Sequence, residues 1–224
     1  MERLSYNRGL VLSELEKVVG EENVYVDEAD RKCYSTDIYW LSQLYCYYGI
    51  ERPLPDFVIL PESTKQVSEV LRVANRHRIP VVPWSGGSGS QGGAVPIKGG
   101  ILLDLKKMDR IVDVDKYSLT VTAEAGVVSQ DLEWELNKLG YTYGHYPASM
   151  YSACLGGMLA ARSAGVMSTK YGKIEDMVLG LEVVLPTGEI IQTPAAPRKT
   201  KAIGPDLTQL FVGSEGTLGV ITKA

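Results

Sequence analysis

Apolar positions recur along this chain at two periods, and the change between them marks its elements. Leu10, Val11, Leu12, Leu15, Val18 and Val19 keep a helical spacing that Gly20 ends. Val24 to Val26 is a short extended piece, and Asp27 is placed to cap a second short helix reaching Tyr34. Tyr39 to Ile50 fits neither period and reads as irregular. Phe57 to Leu60 is a continuous apolar strand stopped by Pro61. Ser63 and Gln66 then form a capping box for a helix whose apolar face is Val67, Val70, Leu71 and Ala74. Arg76, His77 and Arg78 end it with the charge sign that the helix dipole prefers. Ile79 to Val82 reads as a buried strand and Gly100 to Asp104 as another. Strand, helix, strand predicts a right-handed parallel crossover, which brings the segment after Val82 to the carboxyl end of the sheet, where ligands bind.

The pattern changes further on. Asp109 to Asp115 and Leu119 to Glu124 alternate as a hairpin does. Val128, Leu132, Trp134, Leu136 and Leu139 give a helix over Val127 to Leu139, closed by Gly140. Val178 to Leu185 and Glu189 to Thr193 flank the turn signal Pro186-Thr187-Gly188. The basic, proline-bearing run Pro194 to Gly204 reads as an exposed loop, Leu207 to Val212 as a short helix, and Gly219 to Thr222 as a last strand. The expected class is α+β. It comprises two α/β subdomains, 1–112 with a small parallel βαβ sheet and 113–224 with a larger antiparallel sheet and helices. Neither is large enough to bury a full core alone, so they should pack together over a ligand cleft.

Composition narrows the classes. The 224 residues are 45% hydrophobic and 22% charged, with a net charge of −4, so no nucleic-acid partner is expected. No apolar run is long enough to span a membrane, and the N-terminus lacks a signal-peptide core. Three unpaired cysteines, Cys33, Cys46 and Cys154, with only His77 and His145 beside them, give no metal site and suggest reduced thiols in the cytoplasm. Six aromatic residues crowd between Tyr34 and Tyr48. They form either a core-covering flap or an aromatic surface facing a partner or substrate.

The candidate chemistry lies in three glycine clusters. Ser85 to Gly93 is glycine and serine except for Gln91, so its backbone N–H groups can approach an anion. It lacks the spacing of the common dinucleotide fingerprint and of the phosphate-binding loop ending in Lys-Ser/Thr. The second cluster runs from Pro147-Ala148-Ser149 through Leu155-Gly156-Gly157 to Gly165, with a small, apolar, helix-compatible stretch from Leu155 to Ala164. Glycines near a helix start let a flat ligand, or another backbone, come close. The third is Gly213 to Thr222, where glycines alternate with β-formers.

Taken in order, these residues resemble the FAD-binding half of the FAD-linked oxidases typified by vanillyl-alcohol oxidase and p-cresol methylhydroxylase. The resemblance rests on Pro-x-x-Gly-Gly-Ser-Gly at 83–89, Pro-Ala-Ser then Leu-Gly-Gly at 147–157, Lys170-Tyr171-Gly172 with Glu175-Asp176, Gly204-Pro205-Asp206-Leu207, and Gly213-Ser214-Glu215-Gly216-Thr217-Leu218-Gly219-Val220-Ile221-Thr222. It covers roughly residues 50 to 224. Within the family the chain is most similar to the glycolate oxidase and D-lactate dehydrogenase branch and to alkyldihydroxyacetonephosphate synthase.

The resemblance implies FAD between the two subdomains. Pro83, Trp84, Ser85, Gly86, Gly87, Ser88, Gly89 and Ser90 would wrap the diphosphate. Pro147, Ala148, Ser149, Ser152, Ala153, Leu155, Gly156 and Gly157 would hold diphosphate and ribityl oxygens. Arg162, Ser163, Ala164, Gly165, Glu215, Gly216, Gly219, Val220 and Ile221 would line the adenosine, ribityl and flavin regions. A branched side chain at Gly87 is expected to fall on the diphosphate and leave the fold intact. The family's usual Arg-Gly-Gly-Gly-Thr is Trp84-Ser85-Gly86-Gly87-Ser88 here. The loop also lacks the histidine that attaches FAD covalently in some relatives, so non-covalent FAD is expected, with Cys154 the one doubt. The implied reaction is hydride transfer to FAD from a small 2-hydroxy acid. The alternatives are the synthase type, or a non-catalytic flavin-binding module. Catalytic side chains are not identified; His145, as a base facing the flavin or a merely packed histidine, and Tyr171 are the candidates. The family's substrate-binding cap is expected to be missing after Ala224, with a cap-bearing polypeptide or self-association supplying the cover.

Overall fold

The computed structural model describes residues 6–194 and 204–224. The basic run expected between Pro194 and Gly204 therefore falls mostly outside the described residues, as does the extreme N-terminus. The first helix, α1 (Arg8–Val19), is capped by the Asn7 side chain and buries Val11, Leu15 and Val19. After β1 (Val24–Tyr25) and α2 (Glu28–Cys33), the stretch expected to be irregular contains a helix, α3 (Trp40–Tyr47). Asp27 precedes α2 without a side-chain cap bond. Helix α3 escaped the period test because it buries only Ser42; Trp40 is 62% and Tyr47 81% exposed. Tyr34 behaves as a flap, edge-on to Trp84 at 5.6 Å.

Strands β2 (Phe57–Ile59), β3 (Val81–Trp84) and β4 (Ile101–Asp104), with helix α4 (Thr64–His77) between β2 and β3, complete the first layer. The sheet order is β1-β2-β4-β3, with β4 parallel to both β2 and β3 and β1 antiparallel to β2. Strand β3 begins two residues later than its pattern suggests and is half-buried rather than buried, because it pairs on one side only. The central strands are covered on both faces, as continuous apolar runs require. Phe57, Ile59, Ile101 and Leu103 face α1 and α4, while Val58 and Leu102 face Trp84. Ser63 caps α4, but Gln66 returns its bond to the Glu62 N–H, one residue before the cap.

The second half begins with the hairpin β5 (Ile111–Asp115) and β6 (Thr120–Ala123), followed by α5 (Ser129–Lys138) and α6 (Leu155–Ala160). Helix α6 is shorter than its small-residue run, because the chain turns through Arg162 at φ 52°. Two short helices, α7 (Ser168–Tyr171) and α8 (Ile174–Met177), lead to β7 (Glu182–Val184), β8 (Ile190–Gln192), α9 (Leu207–Phe211) and β9 (Val220–Lys223). These strands form an antiparallel sheet of order β8-β7-β9. Paired bonds between Ala123 and Ala224 hang the hairpin on β9, so the antiparallel surface is larger than the three-stranded sheet alone.

Alternation along β7 and β9 joins the halves. Val184 and Val220 enter the core around α4, while Val183 and Ile221 enter the core of α5 and α6. Thr64 Oγ1 donates to Glu182 Oε1 at 2.6 Å across the same junction. Among the described residues, no helix is long and apolar enough to cross a membrane.

Candidate functional site

Strand β3 delivers its chain to the carboxyl edge of the parallel sheet, and Ser85 to Ala94 follows without regular structure. This loop meets α6 and the start of β9 along a cleft of about 340 Å³. Close approach sets the residue types. A Cβ on Gly86 would lie 1.8 Å from the Ser152 carbonyl oxygen, so only glycine lets the two backbones pass. Gly87 has φ +59° and lies against the Trp84 ring, while Gly157 abuts the Ser85 hydroxyl. Some glycines of the motif thus serve packing, whereas an added Cβ on Gly89 would make only an ordinary contact with Asp37 Oδ2 at 3.9 Å.

The loop's hydrogen bonding is one-sided. Gly89 and Gly92 carbonyls accept from Ile38 and Val95. Among the described residues, no backbone N–H from Ser85 to Ala94 has an intramolecular acceptor. The loop residues are half-buried or exposed, so these N–H groups are free to bond to water or to an anion brought into the cleft. No lysine or arginine is among the cleft's lining residues; Glu215 is the charged side chain there. An anion in this cleft would be held by peptide dipoles rather than by side-chain cations.

The expected residues separate into two groups. Pro83 to Ser90, Ser149, Ala153, Gly156, Gly157, Ser163, Glu215, Gly216, Gly219, Val220 and Ile221 line the cleft together. Pro147, Ala148, Ser152, Leu155, Arg162, Ala164 and Gly165 lie off its wall. Leu155 belongs to the second core, Gly165 packs on the Tyr146 backbone, and Arg162 reaches Gln209. The expected open helix start is partly closed, since the Leu155 and Gly156 N–H groups donate to Val127 and Ala125. Gln91, Gly93, Ala94, Leu105, Cys154, Met158, Ala160 and Ala161 also line the cleft. Cys154, Gly157, Met158 and Ala161 are spaced i, i+3, i+4, i+7, a helical signal that could have found them. Leu105 carries no such signal.

His145 is 1% exposed and stands behind the wall rather than facing the cleft. Its Nε2 lies 3.1 Å from Ser163 Oγ, and burial holds its pKa down against the raising effect of Glu175. Tyr171 is off the cleft, its ring against Gly144 and under the Lys170 ammonium. Burial pushes the Cys154 thiol up to about 11, leaving it protonated near neutrality and a poor nucleophile. A wider groove of about 620 Å³ runs between α5 and β5. Lys138 on its rim is paired with Glu135, and the three glycine clusters do not line it.

A parallel half and an antiparallel half closing a cleft lined by unused N–H groups define a nucleotide-binding domain. The chain belongs to the FAD binding domain family, whose model matches residues 55–194. It is 39% identical over 214 residues to glycolate oxidase subunit GlcD of Bacillus subtilis (strain 168), covering 96% of this chain and 43% of that protein. It is 39% identical over 217 residues to a probable mitochondrial D-lactate dehydrogenase of Danio rerio, covering 96% and 41%. Among solved structures, an alkyldihydroxyacetonephosphate synthase superposes with a TM-score of 0.88 at 28% identity, covering all of this chain and 40% of that one. The chain thus spans less than half the length of these relatives.

Proposed function

We propose that this chain is the FAD-binding part of a flavin-dependent oxidoreductase acting on a small 2-hydroxy acid of the D-lactate or glycolate type. The observation that carries the reading is the run of unpartnered N–H groups from Ser85 to Ala94 on a cleft wall without lysine or arginine. That donor set fits a diphosphate, and the glycine-lined approach admits one. When bound, FAD would supply the acceptor for hydride from the substrate's carbinol carbon. The loop would hold the diphosphate by its backbone. Ser149 and the Gly157 N–H would add donors across the cleft, while Leu105, Met158, Val220 and Ile221 would exclude water.

The division into 1–112 and 113–224 belongs to this reading: one core draws mainly on the first half and another almost wholly on the second, with Ala125, Val184 and Val220 crossing into the first. FAD is held without a covalent bond, since residues 84–93 include neither histidine nor cysteine and Cys154 is protonated. The 2-hydroxy acid is proposed from the two 39%-identical relatives. The substrate-covering cap would come from a partner polypeptide or from a part of the protein outside the matched segment. The synthase-type alternative is supported by the superposition of this whole chain on 40% of that enzyme.

Purified chain reconstituted with FAD is expected to be yellow and to release all its colour to the supernatant on acid precipitation. Chromatography of that supernatant should identify FAD. FMN, or no flavin after reconstitution, contradicts the reading; colour retained in the pellet contradicts non-covalent binding.

A further inference from the structure

We infer that His145 is a positioning residue that commits the Ser163 hydroxyl to donating a hydrogen bond into the cleft, toward an acceptor atom of the bound flavin nucleotide. The inference rests on the reading above that FAD occupies the cleft. The geometry starts from an imbalance on one ring. His145 Nε2 is 3.1 Å from Ser163 Oγ, whereas Nδ1 is buried with no partner among the described residues. Burial disfavours the charged ring, and a neutral imidazole carries one proton. On Nδ1 that proton would be a buried donor without an acceptor, the rarer kind of orphan in folded proteins. On Nε2 it meets Ser163 Oγ, so Nε2–H donates and Nδ1 carries the lone pair.

Ser163 Oγ, having accepted from His145, keeps its own O–H to give. The backbone of Ser163 is fixed, its N–H donating to the Met158 carbonyl at 2.9 Å and its carbonyl accepting from Ile174 at 3.3 Å. Ser163 is one of the residues on the cleft wall and is half-buried there. A serine hydroxyl at a binding site can ordinarily donate or accept. Here the histidine behind it removes the choice, and the site favours an oxygen or nitrogen acceptor over a donor.

Two measurements on the 224-residue chain test this. Nitrogen NMR of histidine-labelled apoprotein, with His77→Gln to assign the signals, should show His145 as the neutral Nε2–H tautomer. FAD titration should show Ser163→Ala and His145→Leu each weakened about tenfold, the scale of one lost hydrogen bond. His145→Gln, which restores a donor near the Nε2 position, should return affinity to within about threefold of wild type. The double variant Ser163→Ala/His145→Leu should bind no more weakly than Ser163→Ala alone. The Nδ1–H tautomer overturns the inference, and so does wild-type affinity in Ser163→Ala. If His145→Leu does not fold, the tautomer, Ser163→Ala and His145→Gln still decide. A wild-type chain that takes up no FAD would instead defeat the proposed function, while the tautomer measurement would still test His145.

Discussion

Gly87 and Gly89 stand two positions apart in one loop and meet different surroundings. A Cβ on Gly87 would lie 2.3 Å from the Trp84 ring, and the backbone there is left-handed at φ +59°. Trp84 is buried with Val58 and Leu102, so a branched side chain at Gly87 collides with the core before it reaches any ligand. This corrects the expectation that such a change would leave the fold intact. Gly87→Val is expected to destabilise the protein by about 1–3 kcal/mol, read from urea unfolding. Gly89 has no left-handed backbone, and its added Cβ meets only Asp37 Oδ2 at 3.9 Å. Gly89→Val should therefore keep wild-type stability and lower FAD affinity about tenfold. Unchanged affinity in a folded Gly89→Val would remove the loop from the binding site.

Among the elements, the hairpin of β5 and β6 depends on a short junction. Glu124, just after β6, is buried and accepts from Arg110 three times, through the backbone N–H and two guanidinium nitrogens. Its backbone also forms an isolated antiparallel β-bridge with Lys223 on β9. Burial alone would raise the Glu124 pKa, but the Arg110 bonds outweigh it and hold the carboxyl below its usual range. A carboxyl depressed in the folded state contributes stability above its unfolded pKa and loses it as pH falls through the folded value. Glu124→Gln should therefore lower the melting temperature by a few degrees at neutral pH. The gap from wild type should narrow as pH falls below about 4. A gap that is constant with pH would show that the charge is not what Glu124 contributes. Among the helices, α3 and α6 show why length and burial limit sequence reading. One exposes most of its apolar residues, and the other ends where a left-handed Arg162 turns the chain.

For the whole molecule, the cleft has walls from both halves, with the Ser85–Ala94 loop from one and α6 with β9 from the other. A ligand touching both walls binds the folded state and not the unfolded chain, so it stabilises by mass action. At about 100 times its dissociation constant, FAD should add about 2.7 kcal/mol. For a chain of this size that is a rise in melting temperature of roughly 5–10 °C. Differential scanning fluorimetry with and without FAD reads it directly, and an unshifted melt at high FAD would show that the folded chain does not bind FAD in preference to the unfolded one.

The sequence by itself determined what depends on local chemistry. Period and capping marked α1 and α4, the apolar runs marked β2 and β4, and the Pro-Thr-Gly turn marked the β7–β8 hairpin, because each signal lies within a few neighbouring residues. The ordered glycine clusters also pointed to the family and to the loop at Ser85. Tertiary structure decided what depends on distant neighbours. Only the fold shows that Gly86 yields to the Ser152 backbone and Gly87 to Trp84, while Gly89 has room for a Cβ. It brings Leu105 to the cleft from the end of β4 and leaves Leu155 and Gly165 off the cleft wall. It sets His145 behind Ser163, eighteen positions away, with one ring nitrogen bonded and the other alone among the described residues. A residue's type records what it can bond to; which atoms it meets is fixed when the two halves close.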